Sequence, residues 1–424
     1  MMFAFRLIVC WTILLVACSG VGGGVDGGGS AGNDDGSWLT LRPDMVSEVV
    51  FPGFETQILL NATATRSFEQ SVQVAIIDAN GVTKGPPSLN AYSATRYSAS
   101  FHLADSLAPG RHDGTFDVRL CFDDPSTCLN PLPGSPWHVG YRIFVVDPAV
   151  YTFKKWEDVT HPGFDLFTLG TLGSDAVAVA VGYYSGATEV YTSPTGVNWT
   201  SVTTAHAPLA TRGFALATVG TNLYLSGGER IGPIGKPLGT YTNHVWRFDG
   251  ADWHEQTASA PFDGRRDHAM VGFGGALYVF GGRNGSVGFS DAWKSVDEGV
   301  TWTAMPGGPL PANTAGTVCA VEWRGRLLIA GSGSLISSSD AATWTTVPGY
   351  EWPFAIYATH CAVLNDRLYL FGDSTVSSAD LTTWQFEPWA RYGESAPGMV
   401  AVDGHLLLGN GVHSSFRSIM RSRP

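Results

Sequence analysis

The chain has 424 residues, a length suited to two or three domains. Its 25 Lys and Arg against 37 Asp and Glu leave a net charge of −12, which argues against a nucleic-acid partner, since such binding needs clustered cations. Charged residues are only 15%, while 52 Gly, 14 Trp, 14 Tyr and 22 Phe favour turn-rich β-structure. The 44% hydrophobic content excludes both a disordered body and a protein that spans a membrane many times.

The N-terminus carries one basic side chain, Arg6, followed by an apolar run from Leu7 to Ala17. That run falls short of the roughly 20 residues a membrane helix needs and has the length of a signal peptide. It ends in Leu15-Val16-Ala17-Cys18, which resembles the lipobox of bacterial lipoproteins. The resemblance implies removal of residues 1–17, acylation of Cys18, and attachment to membrane lipid through that residue. Several acyl chains matter because each buried CH₂ contributes about 0.8 kcal/mol and one chain anchors only marginally. A plain secretory signal that happens to include Cys18 is the alternative. Residues 19–37 hold nine glycines with Ser, Asn and Asp. The stretch 18–37 is therefore expected to be a lipidated Cys with a flexible tether, about 25 Å end to end. Ser19 stands where enterobacterial lipoproteins retained at the inner membrane carry Asp. The expected location is the bacterial cell envelope, at the outer membrane.

From Trp38 to residue 148 short alternating runs recur: 38–41, 57–60, 72–76, 97–103, 116–122 and 141–146. Turn clusters such as Asn80-Gly81 and Pro109-Gly110 separate them, and six or seven such strands predict an antiparallel β-sandwich. In architecture this is similar to immunoglobulin-like domains, without their Cys-Trp-Cys spacing. Cys121 and Cys128 flank a Pro-containing turn. In an oxidising compartment they favour a hairpin-closing disulfide, with metal binding the minor alternative.

Residues 151–424 are internally repetitive. Trp156, Trp199, Trp253, Trp302, Trp344 and Trp384 recur at separations of 43, 54, 49, 42 and 40. Each is followed 25 to 29 residues later by a glycine: Gly182, Gly227, Gly281, Gly331, Gly372 and Gly409. Periods of this size indicate a propeller. The segment His268 to Gly282, with Leu277-Tyr278-Val279-Phe280 before a glycine doublet, resembles a kelch repeat. Phe214 to Gly228 matches nearly as well, and later units lose the second glycine. Kelch repeats also build the central domain of galactose oxidase.

A second pattern overlaps. Ser295-Val-Asp297-Glu-Gly299-Val-Thr301-Trp302 resembles the Asp-box of sialidase-type propellers, and 339–344 and 379–384 are degraded copies. That resemblance implies a folding device, with Asp capping a turn and Trp packing between blades. Six Trp strands and six inner pairs predict an all-β protein: a six-bladed β-propeller preceded by an immunoglobulin-like β-sandwich. The strand at 153–159 is expected to close the ring by pairing with 416–421, which removes an exposed edge.

Loops on a rigid scaffold carry recognition. The distances from glycine to the next Trp are 17, 26, 21, 13 and 12, so extra length falls after Gly227 and Gly281. Arg212, Glu229, Arg230, Tyr241, Arg266, His268 and Arg283 cluster there and form the candidate ligand face. Arg forks suit carboxylates and phosphates, and Tyr241 and Phe289 are candidates to stack on sugars. The competing reading is of solvated loops whose arginines brace neighbouring blades. No catalytic, cofactor-binding or metal-ligating set is assembled. The sialidase pattern has only Arg230-Ile231-Gly232 as a weak echo, and the copper site of galactose oxidase has no convincing counterpart. Cys319 and Cys361, each 17 residues after its Trp, read as core thiols, as a mutual disulfide, or as a cofactor contact. The expected function is an envelope-anchored, monomeric binding or scaffold protein with a protein or glycan partner; a glycan-active enzyme is the alternative.

Overall fold

The computed structural model describes residues 10–11, 36–51, 55–67, 70, 72–124, 127–147, 156–159, 166–181, 187–232, 236–306, 310, 318–331, 333–351, 354, 358–372, 374–387, 398–409 and 419–422. Cys18 lies outside them. Every regular element among the described residues is a strand, and none of these residues forms a helix long and apolar enough to cross a membrane. The chain divides into two units, Met1–Tyr151 and Thr152–Pro424.

The first unit holds two sheets around one core. One sheet runs Leu39–Arg42, Gln57–Ala64, Arg96–Leu103, Thr83–Ser93; the other runs Cys10–Trp11, Gln73–Asp78, Gly110–Cys121, Trp137–Val145, Met45–Val50. Alternation along the strands sends Ile58, Leu60 and Phe101 of the first sheet against Ile76, Phe116, Val118, Tyr141 and Ile143 of the second. Two strands escape the sequence pattern. Thr83–Ser93 contains Gly85-Pro86-Pro87, which reads as a turn; it sits at a sheet edge with a register shift, where missing donors are tolerated. Met45–Val50 pairs parallel to Trp137–Val145, so the unit is not wholly antiparallel as expected. Cys121 and Cys128 are joined by a disulfide with Cα atoms 5.6 Å apart. Asp123 accepts the backbone N–H of Asn130 across that loop.

The second unit contains six four-stranded antiparallel sheets among its described residues. Their innermost strands are Leu166–Leu172, Ala215–Val219, Ala269–Phe273, Cys319–Trp323, His360–Leu364 and Gly398–Val402. Each touches the next, and the last touches the first, so the sheets succeed one another in a closed cycle. The sixth sheet takes its outermost strand from the other end of the unit, where Trp156–Val159 pairs with Ile419–Ser422. Apolar clusters fill the spaces between successive sheets: Val177, Val179, Phe214, Leu223 and Trp253 form one, and Ala217, Tyr224, Phe262, Met270 and Trp302 the next.

Aspartates tie the turns between third and fourth strands. Asp297 accepts from Ser295 Oγ, from Thr301 N and from Thr301 Oγ1, while Trp302 Nε1 donates to Gly299 O at 3.0 Å. Asp340 and Asp380 repeat the arrangement with the N–H groups of Ala342 and Thr343 and of Thr382 and Thr383. These donors hold all three carboxyls below the ordinary carboxylate range. A further copy without Asp follows the same logic, Gly196 N donating to Ser193 Oγ and Trp199 Nε1 to Gly196 O.

Candidate functional site

The inserts after Gly227 and Gly281 fold into strands of their own. Thr211–Arg212, Glu229–Ile231 and Pro237–Tyr241 form a three-stranded sheet, and Arg283–Asn284 pairs with Val287–Gly288. Arg266 and Arg283 exchange both backbone hydrogen bonds at 2.9 Å, which links the second insert to the start of its own inner strand.

The glycine doublets make this crowding possible. Gly282 has φ +87°, and a Cβ there would lie 2.6 Å from His268 Cβ and 2.8 Å from Arg266 O. Gly227, at φ +68°, would meet Arg265 O and His268 Cε1 at 2.7 Å. Only glycine both adopts these angles cheaply and lets the chain pass so close.

The candidate ligand face is brought together, but its charges answer one another. Glu229 is buried and accepts from Arg212 Nε at 2.9 Å and Nη2 at 2.8 Å, with Arg266 Nη1 at 3.5 Å. Asp267 receives Arg283 Nε at 2.7 Å and has Arg266 Nε at 3.6 Å. A buried carboxylate must be paired or lose its charge, so Glu229 commits the very arginines expected to be free for a ligand. Of the remaining residues, Arg230 is exposed and Tyr241 is half-buried at the sheet edge.

His268 is no exposed ligand either. It is buried, with Nε2 3.1 Å from the fully buried Ser226 Oγ. Burial, and secondarily the nearby Arg265 guanidinium, push its pKa down to about 3, so the ring is neutral. Aligned on Gly228 and Gly282, the preceding repeat has Phe214 at this position, which makes His268 a variant core residue. Phe289, expected to stack on sugars, instead lies against Arg265, whose Cζ is 4.3 Å from its ring centroid.

The sequence reading did not anticipate the pairing of Arg265. Arg265 is wholly buried, bonds Asp291 through Nη1 at 2.6 Å and Nη2 at 2.8 Å, and also donates to Gly281 O. Trp293 Nε1 completes the Asp291 carboxylate at 2.7 Å. A signal was present: aligning Val245-Trp246 with Ala292-Trp293 puts Asp291 where the earlier repeat has His244, and both carbonyls receive the first glycine's N–H.

At the same end of the sheets three apolar side chains stand in solvent. Leu238 is 52% exposed, Val287 60% and Leu209 58%. Leu238 and Val287 belong to the two inserted hairpins.

Residues 264–294 match the Kelch motif. They span the arginine pair, the glycine doublet and the strand beginning at Ala292. Kelch domain-containing protein 3 of Homo sapiens is 33% identical over 135 residues, covering 30% of this chain and 35% of that protein, and the Rattus norvegicus protein matches equally. The chain thus spans about a third of these curated relatives. Among solved structures, that of YjhT superposes with a TM-score of 0.50 at 14% identity, covering 62% of this chain and 95% of that one. The chain carries a kelch-repeat β-propeller fold.

Proposed function

We propose that the protein is an envelope-anchored scaffold that holds a protein partner on the inserted hairpins of a six-bladed kelch propeller. In this reading the six cyclically arranged sheets are its blades, the turns at Asp297, Asp340 and Asp380 are Asp-boxes, and residues 38–148 are an immunoglobulin-like sandwich. Cys18 carries the lipid that tethers a monomer to the outer membrane. Kelch propellers commonly serve as protein-interaction scaffolds, which supports the reading.

The observation that carries the choice of partner is the division of labour on the hairpin face. Arg212, Arg266 and Arg283 are held by Glu229 and Asp267, while Leu238 and Val287 are presented to solvent beside the exposed Arg230 and Lys236. Exposed apolar anchors rimmed by cations suit a partner with an apolar patch and acidic margins.

Photo-crosslinking side chains placed at positions 238 and 287, in envelope preparations, should capture one common protein. The same probe at Val296, in the turn of Asp297, is the comparison. Capture only from Val296 would move the site to the opposite end of the sheets. Separately, Cys18→Ser should release the protein into the soluble fraction, and unchanged membrane retention would remove the anchor from the proposal.

A further inference from the structure

The thiols of Cys319 and Cys361 have no part in the kelch face and stand on adjacent innermost strands. Both are reduced in this structure, Cys319 buried and Cys361 partly exposed. Strand alternation fixes where they point. Val318 and Ala320 pack with Val271, Tyr278 and Phe280 of the preceding sheet, so Cys319 between them is directed to the following one. Ala362 and Leu364 pack with Met399, Leu406 and Leu408 of the sheet that follows theirs, so Cys361 is directed back. The two strands, Cys319–Trp323 and His360–Leu364, are in direct contact. The side chains meet there, the Cys361 thiol being within hydrogen-bonding reach of Cys319.

We propose that Cys319 and Cys361 are a disulfide site that staples two neighbouring sheets of the propeller together under oxidising conditions. The bond would close a loop of 42 residues, one whole repeat of the ring. The existing Cys121–Cys128 bond belongs to the same redox regime, since structural disulfides persist where the surroundings are oxidising. The reaction is a thiol–disulfide exchange with a small disulfide oxidant. The thiolate of one cysteine attacks the oxidant's S–S bond and releases one thiol. The second cysteine then attacks the mixed disulfide and releases the other. Two S–H bonds are lost, one S–S bond forms, and two electrons and two protons end on the reduced oxidant.

The staple acts by restricting the unfolded chain, and Cys361 is the less enclosed residue of the two, so the oxidant approaches from its side when the sheets part locally. Burial and the neighbouring Cys319 raise the Cys361 thiol above its ordinary pKa, so exchange is slow at neutral pH.

The full chain, incubated with oxidised glutathione at mildly alkaline pH, is acid-quenched, alkylated in denaturant and digested. The expected result is one cross-linked peptide pair joining Cys319 to Cys361, with a melting temperature raised by about 5–10 °C. Cys361→Ser should abolish both the peptide pair and the shift. Two results would overturn the proposal: alkylation of both thiols after prolonged oxidation, or a stable glutathione adduct on Cys361 that Cys319 does not displace. The peptide map of the unmutated protein decides the matter even if Cys361→Ser folds poorly.

Discussion

The interface between the second and third sheets of the propeller differs from that between the fourth and fifth in what holds its end together. After Gly227 and Gly281 the chain has 26 and 21 residues before the next Trp; after Gly331 and Gly372 it has 13 and 12. Where the connection is long, extra strands form, and charged side chains lie buried beside them, Glu229 within an inserted strand and Arg265 in the segment leading to the third inner strand. Where it is short, no extra strand forms among the described residues, the charges that meet stand exposed at the turns, and two thiols meet between the inner strands. The interface of the second and third sheets has a full apolar filling of its own, Ala217, Tyr224, Phe262, Met270 and Trp302 among it, so its charges are added to a core and do not replace one. Insertions thus bring their own polar bracing, and a cluster of arginines on an inserted loop is first a folding device.

The widest separation between the regions should come from two arginine–aspartate forks of similar geometry. Arg265 is wholly buried against Asp291, whereas Arg324 and Asp366, spanning the fourth and fifth sheets, are 48% and 62% exposed. Arg265→Ala removes both bonds to Asp291, the donor to Gly281 O and the contacts with Phe262 and Phe289. Asp291 keeps 38% of its side-chain surface and is solvated once the arginine is gone, so the cost should be about 2–3 kcal/mol, mostly from the lost hydrogen bonds of the buried guanidinium. Arg324→Ala should leave the denaturant midpoint almost where it was. Equal losses in urea melts would show that burial does not distinguish the two forks.

The second effect concerns the arginines expected to bind a ligand. Arg212→Ala combined with Arg266→Ala strips the buried Glu229 of its cations and should cost about 3 kcal/mol. Adding Glu229→Gln should restore part of that loss, because the neutral amide tolerates burial better. If the double variant melts like the parent, these arginines are free for recognition after all.

Acid should separate the interfaces next. His268, buried between the second and third sheets, has its pKa depressed from 6.5 to about 3, while half-buried His360, on the face of its strand turned away from the fourth sheet, has its own depressed to about 4, in both cases mainly by burial. The unfolded chain binds these protons first, so the associated stability is complete above pH 6.5 and declines as pH falls towards the folded values. Between pH 7 and pH 5 the His268 contribution falls by about 2 kcal/mol. His360, with a folded value still below this window, should lose nearly as much, and the two part only below about pH 4. His268→Phe, which copies Phe214 of the preceding repeat, should remove about half of this slope in urea melts across that range. An unchanged slope would remove His268 as its source.

The repeat was legible because Trp and Gly mark positions that packing and backbone geometry fix in every unit. Trp253 and Trp302 are buried, and Gly227 and Gly282 occupy positive φ against neighbouring backbone, so neither type can drift. The candidate site was legible in place but not in role. Spacing brought Arg212, Glu229, Arg266 and Arg283 together, but which charges pair is set by burial, and Glu229 stands in the middle strand of a sheet that the insert builds with Thr211–Arg212. Thr83–Ser93 was hidden for a related reason: its prolines look like a turn until the strand is known to be an edge.

The smallest expected effect tests the turns at the opposite end of the sheets, which the two regions share. Asp297 accepts three hydrogen bonds in the third sheet, and Asp340 and Asp380 cap corresponding turns in the fourth and fifth. Asp297→Ala leaves the exposed Thr301 N–H to water, while the buried Ser295 Oγ keeps the N–H of Gly299, and should cost about 1 kcal/mol. The carboxyl is held below its ordinary value of 3.8 chiefly by the Thr301 side chain and backbone. Its contribution is therefore complete above that value and is lost as pH falls through the lower folded pKa. The gap between Asp297→Ala and the parent should be constant from pH 7 to pH 5, where the histidine effects unfold, and should close only in stronger acid. A gap that instead narrows between pH 7 and pH 5 would tie the turn to the buried histidines and join two ends of the sheet that the geometry keeps separate.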